Sequence, residues 1–344
     1  MGKKVSYVTR RRLLKLMAAI TAVTGALGMP PVAWGAGAED YPSGPITFVV
    51  PNPPGLTDAL TRAVGQAITK RLGHPITVVN RPGAASQVGA QSVALAEPDG
   101  YTVLAGSSVP LAELPILSSN VPYKFPEDFS FISLISANNP WMISVSTNLD
   151  AKTLGEVVEY AKANPGKVRY GSVGVGSGGQ LAMSLLAEAT GAEFTHIPYA
   201  GGVAVATAVL SGEVDIGLTG VGTMLQHADS DRVRLLAVTS QERSSFFPDV
   251  PSTAEAGFPS MVADIWWGIV GPAGIPKPIA EKLAFAIKEA LADEEVNRLL
   301  GNWGLKPAPV GTDDFEKFAL NYLDKIRAFA ETPAGKQMMK DMAQ

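Results

Sequence analysis

Val168-Arg-Tyr-Gly-Ser172, Val173-Gly-Val-Gly-Ser-Gly-Gly179, Gln180-Leu-Ala-Met-Ser-Leu-Leu-Ala-Glu-Ala-Thr190 and Phe194-Thr-His-Ile197 follow one another with hardly a residue between them. The first and last are short runs that fit strands. The third has the length and apolar spacing of a helix packed on one side. The second is a turn of small residues that lets the chain reverse between them. Strand, glycine-rich turn, helix, strand is a crossover unit, and it demands a parallel pair of strands with a helix on one face.

The same unit recurs outward in both directions. Strands are expected at 46–50, 76–80, 102–105, 129–136, 141–145, 214–218, 235–238 and 265–270. Helices are expected at 57–72, 88–95, 153–164, 203–210, 279–291, 294–300 and 315–329. Thr57 reads as an N-cap and Gly73 as a stop; Pro98-Asp-Gly100 and Pro165-Gly166 read as turns. Alternation of this length predicts an α/β protein, with a mainly parallel sheet covered by helices on both faces.

Bulk properties narrow the function. The 344 residues suffice for two ordinary domains or one large one, and 46% hydrophobic with 17% charged residues marks a globular chain. Without Cys there is no disulfide, thiolate metal site or thiol catalysis. His74, His196 and His227 are too scattered for a zinc site, so no metal and no cofactor is expected. The six basic residues Lys3, Lys4, Arg10, Arg11, Arg12 and Lys15 stand in an acid-free segment, 1–38. Removing those six from the 28 Lys and Arg leaves 22 against 32 Asp and Glu. Such an acidic body does not suit a nucleic-acid backbone, and an anionic ligand must be held by local groups against the general field.

Segment 1–38 reads as an export signal: the basic stretch to Lys15, an apolar core Leu16–Met29, then Pro30-Pro31 and the small-residue site Ala36-Gly37-Ala38. Thr9-Arg-Arg-Arg-Leu-Leu-Lys15 resembles the twin-arginine motif. The expected mature protein is soluble, monomeric and periplasmic, starting near Glu39. No later stretch is apolar enough to span a bilayer.

Ligands of parallel α/β sheets sit beyond the carboxyl ends of strands, where helix N-termini present unpaired N–H groups. Three loops there are rich in small residues: Pro51-Asn-Pro-Pro-Gly-Leu-Thr-Asp58, Gly106-Ser107-Ser108 and Gly174–Gly179. Each also has a purely structural explanation in tight packing, with Asp58 as a dipole-stabilising residue and Thr57 as a cap. Of Trp266 and Trp267 in one strand, only one can face a pocket while the other faces a core. Tyr199, before Gly201-Gly202, offers a hydroxyl or a core ring. Gly174-Val-Gly-Ser-Gly-Gly179 formally fits a dinucleotide fingerprint, but Glu193 precedes the next strand instead of ending it, the wrong place for a ribose contact. Ser177 does not stand in Gly-x-Ser-x-Gly, and no nucleophile–base pair is evident, which argues against an enzyme.

Taken in order, these motifs resemble those of the solute-binding proteins of tripartite tricarboxylate transporters, the Bug family. The resemblance is carried by Tyr41-Pro42, Pro45-Ile-Thr47, Val50-Pro51, Pro54-Gly55, Thr57-Asp58, Asn80-Arg-Pro-Gly-Ala84, Pro98-Asp-Gly-Tyr-Thr102, Gly106-Ser-Ser108 and Gly176-Ser177. It continues through His196-Ile-Pro-Tyr199, Gly201-Gly202, Arg234-Leu-Leu-Ala-Val-Thr-Ser240, Pro248-Asp-Val-Pro251, Glu255-Ala-Gly257, Gly271-Pro-Ala-Gly274 and Pro276. It implies a type II periplasmic-binding-protein fold: two α/β lobes, a hinge and a central cleft, with lobe 1 at 39–142 plus 264–344 and lobe 2 at 143–263. It implies a small organic carboxylate held mainly by main-chain N–H groups, and membrane permease subunits as partners. An alternative output is ligand presentation to a membrane sensor kinase. The expected ligand-binding residues are Pro54, Gly55, Leu56, Thr57, Asp58, Ser107, Ser108, Gly176, Ser177, Gly178, Tyr199, Thr219 and Trp266. Three positions depart from the family pattern. The first loop is one residue short at Gly55-Leu-Thr-Asp58, Gln180 replaces a frequent His, and Thr219 stands where an Asp often does. Loss of that acid argues against an amino-acid ligand, and Leu56 with the Trp266-Trp267 pair argues for a more apolar one, such as an aromatic or aliphatic dicarboxylate.

Overall fold

A computed structural model describes residues 40–343. The export signal and the start near Glu39 lie outside the described residues. Pro42–Gln344 forms one compact unit.

Nine strands make one sheet: β1 Ile46–Val50, β2 Ile76–Asn80, β3 Thr102–Ser107, β4 Phe129–Ser146, β5 Val168–Ser172, β6 Phe194–Pro198, β7 Ile216–Gly220, β8 Val233–Val238 and β9 Asp264–Pro272. Their order is β2-β1-β3-β9-β4-β7-β5-β6, and β8 pairs with β4. Around it stand α1 Leu56–Leu72, α2 Gln87–Ala94, α3 Leu114–Leu117, α4 Leu154–Ala163, α5 Gly178–Thr190, α6 Gly202–Ser211 and α7 Val221–Leu225. The chain ends in α8 Lys277–Leu291, α9 Glu294–Asn302, α10 Thr312–Ala330 and α11 Pro333–Met342.

The sheet is mixed, not mainly parallel. Crossover units supply the parallel pairs β1/β2, β1/β3, β5/β6 and β5/β7. Pairs β3/β9, β4/β9, β4/β7 and β4/β8 are antiparallel. The reason is that β4 and β9 carry the chain between the two halves as long strands rather than through helical crossovers. The strands expected at 129–136 and 141–145 are one strand of 18 residues. Polar Ala137-Asn-Asn-Pro140 reads as a break, yet the chain stays extended by slipping register between Ser136 and Asn139 and setting Asn138 at φ 52°. Bulges of this kind admit a proline in a strand interior.

Local chemistry explains the helix ends. Gly73 closes α1 in the left-handed conformation and donates its N–H to Thr69 O. Thr153 caps α4 by accepting from Glu156 N at 3.2 Å. Thr57 does not cap α1: the N-cap is Gly55, without a side-chain bond. The core runs along one face through both halves, from Phe131 and Trp266 beneath α10 to Leu181 and Leu186 of α5. Phe315 of α10 lies edge-on to Phe131 and Trp266, where Gly268 has no Cβ to obstruct it.

Candidate ligand cleft

Strand register decides where the loops point. β3 ends with Ser107 opposite Trp267, which is opposite Ser136 of β4. From the other direction, β7 ends with Gly220 opposite Trp141. The carboxyl ends of β1 and β3 therefore advance along β4 toward those of β5, β7 and β8, and the four residues 137–140 of β4 separate them, about 17 Å from Ser136 to Trp141 along an extended strand. The loops singled out in the sequence follow these strand ends, on opposite sides of this stretch.

On the first side, Pro54, Gly55 and Leu56 are exposed. Trp267 Nε1 donates to Thr57 Oγ1 at 3.1 Å, tying the loop to β9. Asp58 is committed to Arg62: the guanidinium Nε donates to both carboxylate oxygens at 3.1 and 3.0 Å, and this bond holds Asp58 below the usual carboxylate range. Ser107 ends β3 nearly buried. Ser108 turns inward and donates to Glu113 Oε1 at 2.8 Å.

On the second side, the turn before α5 is closed by its own residues. Gly176 takes φ 78° and donates its N–H to Gln180 Oε1 at 2.7 Å. Ser177 caps α5, accepting from Gln180 N at 3.4 Å. Its hydroxyl lies 2.7 Å from Gly174 O and 3.1 Å from Ser172 Oγ. The amides of Gly178 and Gly179 belong to the first helical turn and have no intrahelical acceptor. Tyr199 is engaged as well: its hydroxyl donates to Glu213 Oε1 at 2.8 Å, and burial, then Glu213, push it up to about 12. Thr219 is fully buried, facing Met142, with no protein partner for Oγ1.

Trp266 goes to the core rather than the cleft. It is 0% exposed and packs edge-on against Phe315, Phe318 and Tyr322. Trp267 is the member of the pair that meets the first loop. Trp141 was not singled out in the sequence, because its strand reads as a plain apolar run. Its indole nitrogen sits against Gly178, where any Cβ would collide, and finds no partner within the protein. His196, quoted only within a motif, bonds Ser172 Oγ through Nε2 at 2.7 Å beneath the same turn.

A cavity of about 560 Å³ borders this same stretch of β4 at Ala137–Pro140 and is closed by Ser240, Arg243, Asp264, Lys306 and Lys325. None of the sequence-predicted residues borders it. Among the described residues no cluster of three or more His, Asp and Glu could hold a metal, and no helix is long and apolar enough to cross a membrane.

Residues 60–332 match the model of the tripartite tricarboxylate transporter family receptor. Protein BugT of Bordetella pertussis is 32% identical over 316 residues, covering 91% of this chain and 95% of that protein. Rpa4515 of R. palustris, solved with adipate, superposes with a TM-score of 0.77 at 26% identity, covering 86% of this chain and 99% of that one. MatC of Rhodopseudomonas palustris, solved with bound malate, gives 0.73 at 26% identity, covering 85% and 100%. With the match spanning most of its length, this chain belongs to the tripartite tricarboxylate transporter receptors of the Bug type, periplasmic solute-binding proteins and not enzymes.

Proposed function

We propose that this receptor captures a small organic dicarboxylate between the loops at 53–58 and 174–178 and delivers it to a tripartite-type membrane permease. One observation supports the reading: the strand ends that lead into these loops face one another from the two halves across residues 136–141 of β4. Main-chain amides at such ends favour an anion without a paired cation. The adipate and malate of the two related structures support the ligand class. Exposed Leu56 at the mouth favours a ligand with a hydrocarbon spacer.

The two lobes, 39–142 with 264–344 and 143–263, close as the ligand bridges them. Only a ligand that binds both can shift such an equilibrium. Export through the twin-arginine-like signal places the mature monomer in the periplasm. Calorimetric titration of the purified protein with adipate, malate, terephthalate, citrate and glutamate tests the ligand class. Binding of a dicarboxylate, abolished by Ser177→Trp with the fold intact by circular dichroism, is the expected result. Selective binding of glutamate, or a crystal with the guest in the 560 Å³ cavity and the cleft vacant, overturns the reading.

A further inference from the structure

We infer that His196 is a positioning residue whose protonation state decides whether Ser177 can donate its hydroxyl proton to a bound carboxylate. This rests on the reading of the 174–178 turn as anion-holding.

The geometry is a chain of three side chains under that turn. His196 lies opposite Tyr170 in the β5/β6 register, and the two rings stack at 4.8 Å and 20°. Its Nε2 is 2.7 Å from Ser172 Oγ, which is 3.1 Å from Ser177 Oγ. Gly174 O lies within reach of both hydroxyls, 3.0 Å from Ser172 and 2.7 Å from Ser177. Ser172 is fully buried and Ser177 nearly so, so water does not compete for these protons.

Two hydroxyl protons serve these acceptors, and the imidazole decides their distribution. With a lone pair on Nε2, Ser172 donates to the ring and Ser177 donates to Gly174 O. A proton taken from solvent onto Nε2 turns the ring into a donor. Ser172 then accepts from it and rotates its own proton onto Gly174 O, so that it shares this carbonyl with Ser177, weakens the Ser177 bond to it and frees the Ser177 proton to turn toward an anion at the mouth of α5. No covalent bond other than the new N–H is made.

The titratable groups facing His196 are Tyr170 of β5 and Asp341 of α11. Burial keeps Tyr170 protonated, and Asp341 favours the imidazolium. Burial outweighs Asp341 and holds His196 below the ordinary histidine range. Glu188, the one ionisable residue of α5, is exposed. Carboxylate binding therefore takes up a proton, and affinity rises as pH falls.

The test has two arms. In the ligand-free protein, NMR should show the amides of Gly174 and Gln180 titrating with the His196 ring, and both amides flat in His196→Gln and in Ser172→Ala. In the second arm, adipate and malate affinities are compared at pH 5.5 and pH 8. The wild-type ratio should exceed that of His196→Gln by about tenfold, the value of one hydrogen bond to a charged acceptor. The ligand's own titration is common to both proteins and cancels. Amides that stay still while the ring titrates, or a pH ratio unchanged in His196→Gln, overturn the inference. If neither probe binds, the ligand reading fails on its own account and the amide arm still decides the role of His196.

Discussion

At the scale of single residues, the cleft is backed by polar groups whose burial makes them sensitive. Glu113 is 2% exposed, accepts from Ser108 at 2.8 Å and from Tyr322 at 2.9 Å, and leaves Oε2 without a protein partner. Burial, opposed by these two bonds, pushes its carboxyl up to about 7. A folded-state value above the unfolded one means the native protein holds the proton that the unfolded chain has lost. Its contribution is full below the unfolded value near 4.5 and disappears as pH rises through about 7, a loss on the order of 3 kcal/mol. Glu113→Gln should remove that slope, so that urea unfolding finds the variant gaining on wild type between pH 5 and pH 8. An equal difference at both pH values would show that Glu113 is not held neutral. Gly178 makes the opposite point, that an atom too many is also costly. A methyl there meets the Trp141 indole, so Gly178→Ala should lose roughly 1–3 kcal/mol in urea unfolding and weaken ligand binding.

At the scale of elements, crossover units were legible because periodicity and punctuation agreed. The run from Val168 to Ile197 gave β5, α5 and β6 nearly to the residue. Other elements were hidden because tertiary pairing overrides local chemistry. Ala137-Asn-Asn-Pro140 has the composition of a loop, and only its partners Ile265 and Asp264 keep it in β4. Pro333-Ala-Gly335 looks like a breaker, yet Thr332 caps α11 by accepting from Gly335 N at 3.1 Å, and proline is at home in a first turn. For the site, the loops were legible as small residues after strands. The inward turn of Ser108, the core position of Trp266 and the approach of Trp141 to Gly178 depend on register and packing, which no spacing reveals. The bulge in β4 is itself testable. Asn138 at φ 52° occupies a region that asparagine tolerates and β-branched residues do not. Asn138→Val should cost about 1–3 kcal/mol by urea denaturation, whereas Asn138→Gly should be nearly neutral. If valine is accepted without loss, the bulge does not constrain the strand that joins the two halves.

At the scale of the whole molecule, the site works against its surroundings. Beyond residue 38 the chain carries 32 acidic against 22 basic residues, so a dianion approaching the cleft climbs an unfavourable field. Beside the first loop, Arg62 is bound to Asp58, which spends that cation. On the proposed reading, the anion is held by short-ranged groups, main-chain dipoles and hydroxyls at helix N-termini, which act only after the ligand has arrived. Salt distinguishes these two contributions, because it screens the distant charges strongly and the enclosed contacts weakly. Stopped-flow measurement of dicarboxylate association should therefore show an on-rate that rises, on the order of 2–5-fold, between 20 and 200 mM NaCl, the reverse of electrostatic steering. The off-rate should change little over the same range, since the contacts that set it lie inside the closed cleft. An on-rate that falls with salt would mean that a cationic side chain guides the ligand in, and that the main-chain account of recognition is incomplete.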